Sequence, residues 1–110
     1  MRPAALLLVV FAVSGCGGAA KPPAPPLPHA LAQRWAQQAD AIATADPCTA
    51  HKQAVALRTT VILAVNKRTI PQHLLEPLTS KVNALAAHHA CAPVRHEAQD
   101  LAGWLRDSSG

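Results

Sequence analysis

Apolar residues recur every three or four positions along this chain from His29 onward, which is the spacing of one face of an α-helix. In the first such stretch, polar residues occupy the other faces and the apolar stripe consists of Leu31, Trp35, Ala39 and Ile42. The pattern therefore predicts an amphipathic helix over residues 29–44. Asp46 and Pro47 follow it, and they suit the N-cap and the first position of a new helix.

A second helix is predicted over residues 47–66. Its repeating positions are Cys48, His51, Val55, Arg58, Ile62 and Val65, which we expect to form part of a broad apolar band. Several β-branched residues over 59–65 also fit a strand, but the length and the surrounding pattern favour a helix. Two cations then follow, where the helix dipole favours them, before a predicted turn at Ile70-Pro71.

Two further helices are predicted, over about 71–90 and 93–106. Proline removes a backbone hydrogen bond and clashes with the carbonyl four residues earlier. We therefore expect a short turn over 71–75, followed by a kink or a new start near Pro77. The repeating positions of the two helices are Leu74, Leu78, Val82, Leu85 and His89, and then Val94, Ala98, Leu101 and Leu105.

The first 28 residues follow a different pattern. Arg2 precedes an apolar run over 4–13, which is too short to span a bilayer because a spanning helix needs about 20 residues. Small residues follow the run, and this order is that of a secretory signal. Residues 17–28 contain five prolines, which exclude helix and sheet. We expect an extended spacer about 30 Å long, with a ligand for a proline-binding groove as the alternative.

The apolar run ends at Val13-Ser14-Gly15-Cys16, which resembles the lipobox of bacterial lipoproteins. The resemblance implies cleavage before Cys16, lipid attachment to its sulfur, and acylation of the new amino terminus, as with palmitate. Several acyl chains hold a protein stably on a membrane, whereas one holds it only marginally. The alternative is an ordinary secretory signal with an accidental cysteine. The predicted organisation is a signal peptide over 1–15, a lipidated cysteine and spacer over 16–28, a helical domain over 29–107 and a disordered tail over 108–110.

The composition limits the partners. Ten Lys and Arg against six Asp and Glu give a formal charge of +4, but the basic residues are scattered along the chain. After the signal only Trp35 and Trp104 remain as aromatic residues. Because nucleic-acid-binding proteins usually cluster basic residues and add stacking aromatics, we do not expect nucleic acid as a partner. A weak attraction to anionic lipid headgroups is compatible with this charge.

The cysteines connect the predicted helices into a fold. The second helix rises about 27 Å from Cys48 to its end, and an antiparallel third helix descends as far, so Cys91 returns to the level of Cys48. In an exported protein the default for two such cysteines is a disulfide. The sequence therefore predicts an all-α domain, a small bundle of three to four short helices with a disulfide-closed antiparallel helical hairpin.

The same end of the hairpin offers an alternative chemistry. A histidine lies three residues from each cysteine on the same helical face, and the spacing suits a tetrahedral zinc site with the ligands Cys48, His51, His88 and Cys91. His89 or His96 could also contribute. If the disulfide forms instead, His88, His89 and His96 could bind a metal at the surface or lie solvated.

Motifs of enzyme chemistry are missing from the sequence. It contains no Gly-rich phosphate loop, nucleophile elbow, haem-attachment motif or His-Glu-x-x-His helix. Glu97 and Asp100 share a helical face, but Arg95 and Arg106 lie near them, as on a charged outer surface. We expect no enzyme activity, no catalytic residue and no cofactor.

Residues 46–93 also resemble a group of small exported proteins of high-GC bacteria, especially actinobacteria. These carry a helical hairpin between two cysteines and an Ile-Pro or Val-Pro turn at its tip, as in Cys48, Ile70-Pro71 and Cys91. The resemblance implies the disulfide hairpin and no activity.

Together these observations predict an exported protein, lipid-anchored to the bacterial cell membrane or outer membrane, with its domain in the extracytoplasmic space. The expected function is non-enzymatic, either binding of an envelope protein or envelope organisation. An exposed apolar patch around Trp35 or Trp104 would favour protein binding. The alternative function is a metal-binding lipoprotein that uses His51, His88, His89 and His96.

Overall fold

A computed structural model describes residues 24–110, so the predicted signal, the lipobox and most of the spacer lie outside the described part. Within residues 24–110 there are four helices and no strand. The predicted all-α class is confirmed, and the first two helices have the predicted bounds. The helices are α1 His29–Thr44, α2 Pro47–Asn66, α3 Gln72–Ala86 and α4 Arg95–Ser108.

Each helix packs against two of the others, so the bundle is a ring of four. α1 contacts α2 and α4, and α3 contacts the same two helices. Within the described residues α1 and α3 do not approach each other closely, and neither do α2 and α4. The α1–α2 turn and the α3–α4 loop together line a shallow depression at one end of the bundle. The α2–α3 turn lies at the opposite end.

Small side chains form the closest helix contact, which joins α1 to α4. Because alanine has no side chain beyond Cβ, two helices that face each other with alanines can approach closely. Trp35 is the largest fully buried side chain, and its indole Nε1 has no hydrogen-bond partner. Burying an unpaired N–H costs about 1–3 kcal/mol, which the large apolar area of the ring must offset. The buried alanines of these two helices are Ala32, Ala36, Ala39 and Ala43 on α1, and Ala98 and Ala102 on α4.

The packed domain begins with Leu27, a residue that the sequence analysis placed in the spacer. Its side chain is fully buried, and its backbone N–H donates a hydrogen bond to the carbonyl of Ser108 at 2.9 Å. A single leucine among prolines has no periodicity, so its burial has no signal in the sequence. At the other end of the domain, α4 continues to Ser108, two residues beyond the predicted end of the helix.

Asp46 caps the N-terminus of α2. Its carboxylate accepts hydrogen bonds from the backbone N–H of Thr49 at 3.1 Å and from the Thr49 hydroxyl at 2.8 Å. These bonds, the backbone one foremost, hold the pKa of Asp46 below its ordinary value of 3.8. Pro47 follows at the first helical position, where its missing N–H leaves no intrahelical bond unmade.

A Schellman motif ends α2. The N–H of Thr69 bonds to the carbonyl of Ala64 at 3.2 Å, and the N–H of Arg68 bonds to the carbonyl of Val65 at 3.0 Å. The motif requires a left-handed backbone at Arg68, where φ is 60°. Glycine is the usual residue at this position because it lacks a Cβ. The chain therefore reverses direction with a residue that does not favour the conformation.

Pro77 lies inside an uninterrupted helix, so the predicted short turn over 71–75 and the restart at Pro77 are wrong. Pro77 is only the sixth residue of α3, and the carbonyl that loses its partner is that of His73, an exposed residue that water can reach. The Thr79 hydroxyl donates to the carbonyls of Leu75 and Glu76. α3 ends at Ala86, earlier than predicted, and an irregular loop leads to α4.

Truncation of Leu27 tests whether it belongs to the core. We expect Leu27→Ala to lower the free energy of unfolding by about 2–4 kcal/mol, because a buried leucine leaves a cavity. Leu63 is 54% exposed, so the matched variant Leu63→Ala should cost less than about 1 kcal/mol. Urea denaturation measures both values. Equal losses in the two variants would place Leu27 outside the core.

The left-handed position at the end of α2 generates a second prediction. We expect Arg68→Gly to raise the free energy of unfolding by roughly 0.5–1 kcal/mol, because glycine adopts positive φ without a steric penalty. Arg68→Ala removes the same side chain but keeps the Cβ, so it should give no gain. Stabilisation by both variants would show that the arginine side chain, and not its backbone, is unfavourable there.

Candidate functional site

The two cysteines meet at the end of the bundle that holds the α1–α2 turn. Cys48 is the second residue of α2, and Cys91 lies in the loop after α3 with a left-handed φ of 69°. A disulfide joins them, and both residues are exposed. The hydrogen bond from the Ala92 N–H to the His89 carbonyl, 3.0 Å long, braces the same loop. The predicted disulfide-closed helical hairpin is confirmed.

The disulfide uses both thiols that the four-ligand zinc alternative requires. His51 is half-buried, and its Nδ1 is buried without a hydrogen-bond partner. His89 and His96 are exposed, while the Nε2 of His88 lies 3.0 Å from the Oε2 of Glu97. Among residues 24–110 no group of three or more His, Cys, Asp or Glu side chains is placed to hold a metal ion. The structure therefore does not assemble the ligand set Cys48, His51, His88 and Cys91.

His88 and Glu97 instead connect the α3–α4 loop to the first turn of α4. Their side chains are 34% and 41% exposed, so water and salt weaken the attraction between them. Arg106 of α4 pairs with Asp40 of α1 in a similar way on another part of the surface. The hydrogen bond from Arg106 to Asp40 raises the pKa of the arginine above its ordinary value. These contacts tie neighbouring elements together at the surface.

The exposed large apolar side chains of the described part are both on α2. They are Ile62, which is 39% exposed, and Leu63, which is 54% exposed. The sequence analysis placed Ile62 on the inward face, but the buried stripe of α2 is a narrow one consisting of Ala50, Ala54, Leu57 and Val61. Ile62 lies about 110° around the helix from the centre of this stripe, which places it at the rim. α2 thus carries apolar residues on more than one face, and a helix of that kind is usually covered by other parts of the structure on more than one face.

The tryptophans do not form the exposed patch that would favour protein binding. Trp35 is fully buried. Trp104 is half-buried on α4, and the Nζ of Lys81 lies 5.7 Å from its ring centroid. This distance is within the range of a cation–π contact, so the ring is partly covered by α3. The apolar surface available to a partner is therefore on α2.

Charge is divided between the two sides of the bundle. No acidic residue occurs between Pro47 and Leu75, a stretch that contains α2 and the turn after it. The cations in this stretch are Lys52, Arg58, Lys67 and Arg68. α4, which lies diagonally across the ring, carries three of the six acidic residues of the chain, namely Glu97, Asp100 and Asp107.

The cations and the exposed apolar side chains share one surface of α2. At 100° per residue, Lys52, Thr59 and Leu63 lie within about 30° of the direction opposite the buried stripe, and Ile62 and the C-cap residue Lys67 lie about 70° to either side of it. We call these five exposed positions the outer α2 face. This face combines aliphatic groups with positive charge and contains no carboxylate. It carries both exposed large apolar side chains of the described domain.

Comparisons with known proteins provide no relative from which the role of this surface could be inferred. No family model matches the chain, and no similar sequence among curated proteins and no similar fold among solved structures was found. A search of the described residues finds no helix that is both long enough and apolar enough to cross a membrane.

The disulfide should dominate the stability of this domain. It closes a separation of 43 residues, for which the chain-entropy model gives roughly 4 kcal/mol. We expect Cys48→Ser combined with Cys91→Ser to lower the melting temperature by about 20 °C, since each kcal/mol corresponds to roughly 4–8 °C in a small domain. Thermal circular dichroism measures the change. Reductant should lower the wild-type value similarly and leave the double variant unchanged, whereas an insensitive wild type would contradict the expectation.

Proposed function

We propose that the protein is an exported bacterial lipoprotein, anchored through Cys16, whose helical domain binds a partner in the extracytoplasmic space without catalysis. The observation that carries the proposal is the motif Val13-Ser14-Gly15-Cys16 at the end of an apolar run of signal length. The resemblance to a lipobox implies a membrane anchor, which is the cell membrane or the outer membrane depending on the envelope.

The cysteine chemistry of the domain supports export. Disulfides persist in oxidising compartments and are rare where glutathione and thioredoxin keep thiols reduced. The bond between Cys48 and Cys91 is exposed at the surface and closes the hairpin on which the domain depends. An extracytoplasmic location is the environment in which this bond is stable.

The length of the spacer supports an anchor close to the domain. Ten residues separate Cys16 from Leu27, the first residue of the core, so the two are at most about 40 Å apart when the chain is fully extended. The prolines among them favour an extended chain without secondary structure. The domain would therefore stay near the membrane and sample partners within a narrow layer above it.

The surface chemistry supports binding in preference to catalysis. The pKa of Asp46 is lowered by its role as a helix cap, and the pKa of Arg106 is raised by an ion pair at the surface. Both shifts have structural causes. The outer α2 face, in contrast, exposes two aliphatic side chains that contribute little to the core. Two exposed aliphatic side chains flanked by cations give α2 a surface that can contact a partner.

Lipid attachment is tested by mass spectrometry of the protein made in a bacterium that processes lipoproteins. We expect the wild type in the membrane fraction, with an N-terminal peptide that begins at Cys16 and carries a diacylglyceryl group and an acyl chain. Cys16→Ala should abolish that modified peptide. The matched control, Cys48→Ser combined with Cys91→Ser, should retain it. A wild-type protein released without lipid would contradict the proposal.

A further inference from the structure

The outer α2 face carries a lysine at each end and aliphatic side chains between them. Lys52 and Lys67 are fifteen residues apart, which places them about 22 Å apart along the helix. Ile62 and Leu63 lie between them and are exposed. A surface that contacts both lysines must therefore run along most of the length of α2 and meet Leu63 on the way, with Ile62 at its edge.

The charge distribution of the whole bundle favours an orientation in which α2 faces a negatively charged surface. The stretch from Pro47 to Leu75 carries four cations, from Lys and Arg, and no acid, whereas α4 on the far side carries Glu97, Asp100 and Asp107 against Arg95 and Arg106, so three acids against two cations leave it with one net negative charge. In front of an anionic surface, attraction of the α2 side and repulsion of the α4 side act in the same direction. The domain would turn until α2 faces the surface.

We propose that the outer α2 face docks onto anionic lipid headgroups of the membrane that carries the protein. The inference rests on the proposed lipid anchor, which supplies the proximity. In the docked state α2 lies parallel to the membrane, Lys52 and Lys67 contact headgroups, and Leu63 enters the boundary between headgroups and acyl chains, with Ile62 at the edge of the contact. The anchor keeps the domain at a high effective concentration near the surface, so a weak interaction is sufficient.

A lipid surface fits this face better than a protein does. Stable protein interfaces bury about 800 Å² on each partner and have an apolar centre, whereas the outer α2 face offers two aliphatic side chains on one convex helix. An antiparallel pairing with the α2 of a second copy would place Lys52 of one molecule opposite Lys67 of the other, and like charges would oppose it. Lipid headgroups require neither a large apolar area nor shape complementarity.

Vesicle binding of the chain over 17–110, produced by export without its lipid, tests the proposal. This segment contains the whole described core, and circular dichroism establishes that each variant is folded. We expect binding to phosphatidylglycerol vesicles at least tenfold tighter than to phosphatidylcholine vesicles at low salt, weakening as screening increases. Lys52→Gln and Lys67→Gln should each reduce the affinity about fivefold, from roughly 1 kcal/mol per cation near an anionic surface. Leu63→Ser should weaken binding at every salt concentration.

Arg95→Gln is the matched control, because it removes one exposed cation from α4. We expect it to change the affinity less than twofold. Equal binding to the two kinds of vesicle would overturn the proposal, and so would an effect of Arg95→Gln as large as that of Lys67→Gln. Self-association that Leu63→Ser abolishes, in the absence of vesicle binding, would assign the face to a second copy and also overturn it.

The proposal of a lipid anchor and the proposal of a docking surface can be refuted independently of each other. A wild type that carries lipid on Cys16 but whose unlipidated form ignores phosphatidylglycerol vesicles keeps the anchor and loses the docking surface. Vesicle binding by a protein that proves never to be lipidated keeps the docking surface and loses the anchor.

Discussion

Close alanine packing between α1 and α4 is the contact on which the rest of the bundle depends. Buried alanines let these helices approach, and the approach brings Leu27 and Ser108 together at one end of the ring. Because each alanine buries little apolar area, such a core yields less hydrophobic stabilisation than one of leucine or phenylalanine. The other pair of helices, α2 and α3, is held by a covalent bond between Cys48 and Cys91. One half of the ring is thus closed by packing and the other by a disulfide.

Because the disulfide helps to hold α2 in place, α2 can expose aliphatic side chains and cations. Its inward stripe is narrow, and the disulfide near its N-terminus supplies part of the constraint that a wider apolar contact would otherwise provide. The core therefore does not need the side chains of Ile62 and Leu63. Cations without neighbouring acids surround them, while the acids are concentrated across the ring on α4. The same arrangement that stabilises the hairpin leaves a surface suited to recognition.

The elements that sequence reasoning predicted correctly are those that local chemistry determines. The bounds of α1 and α2 follow from periodicity and from the Asp46-Pro47 start signal, and the cysteine pairing follows from helix length. Pro77 misled the prediction because the cost of a proline depends on whether water reaches the carbonyl that it leaves unpaired. The burial of Leu27 and the width of the inward stripe of α2 depend on how closely other helices approach. The local sequence pattern does not determine that distance. The outer α2 face was missed for the same reason.

The hydrogen bond between Leu27 and Ser108 makes the fold nearly circular. The two ends of the packed chain are neighbours, so the order in which the helices are connected matters less than the ring that they form. A permuted chain that links these ends and opens the α2–α3 turn would keep every helix contact, and the disulfide would then be the only direct covalent link between α2 and α3. The four helices thus form a closed ring, and the two ends of the packed chain meet beside the spacer.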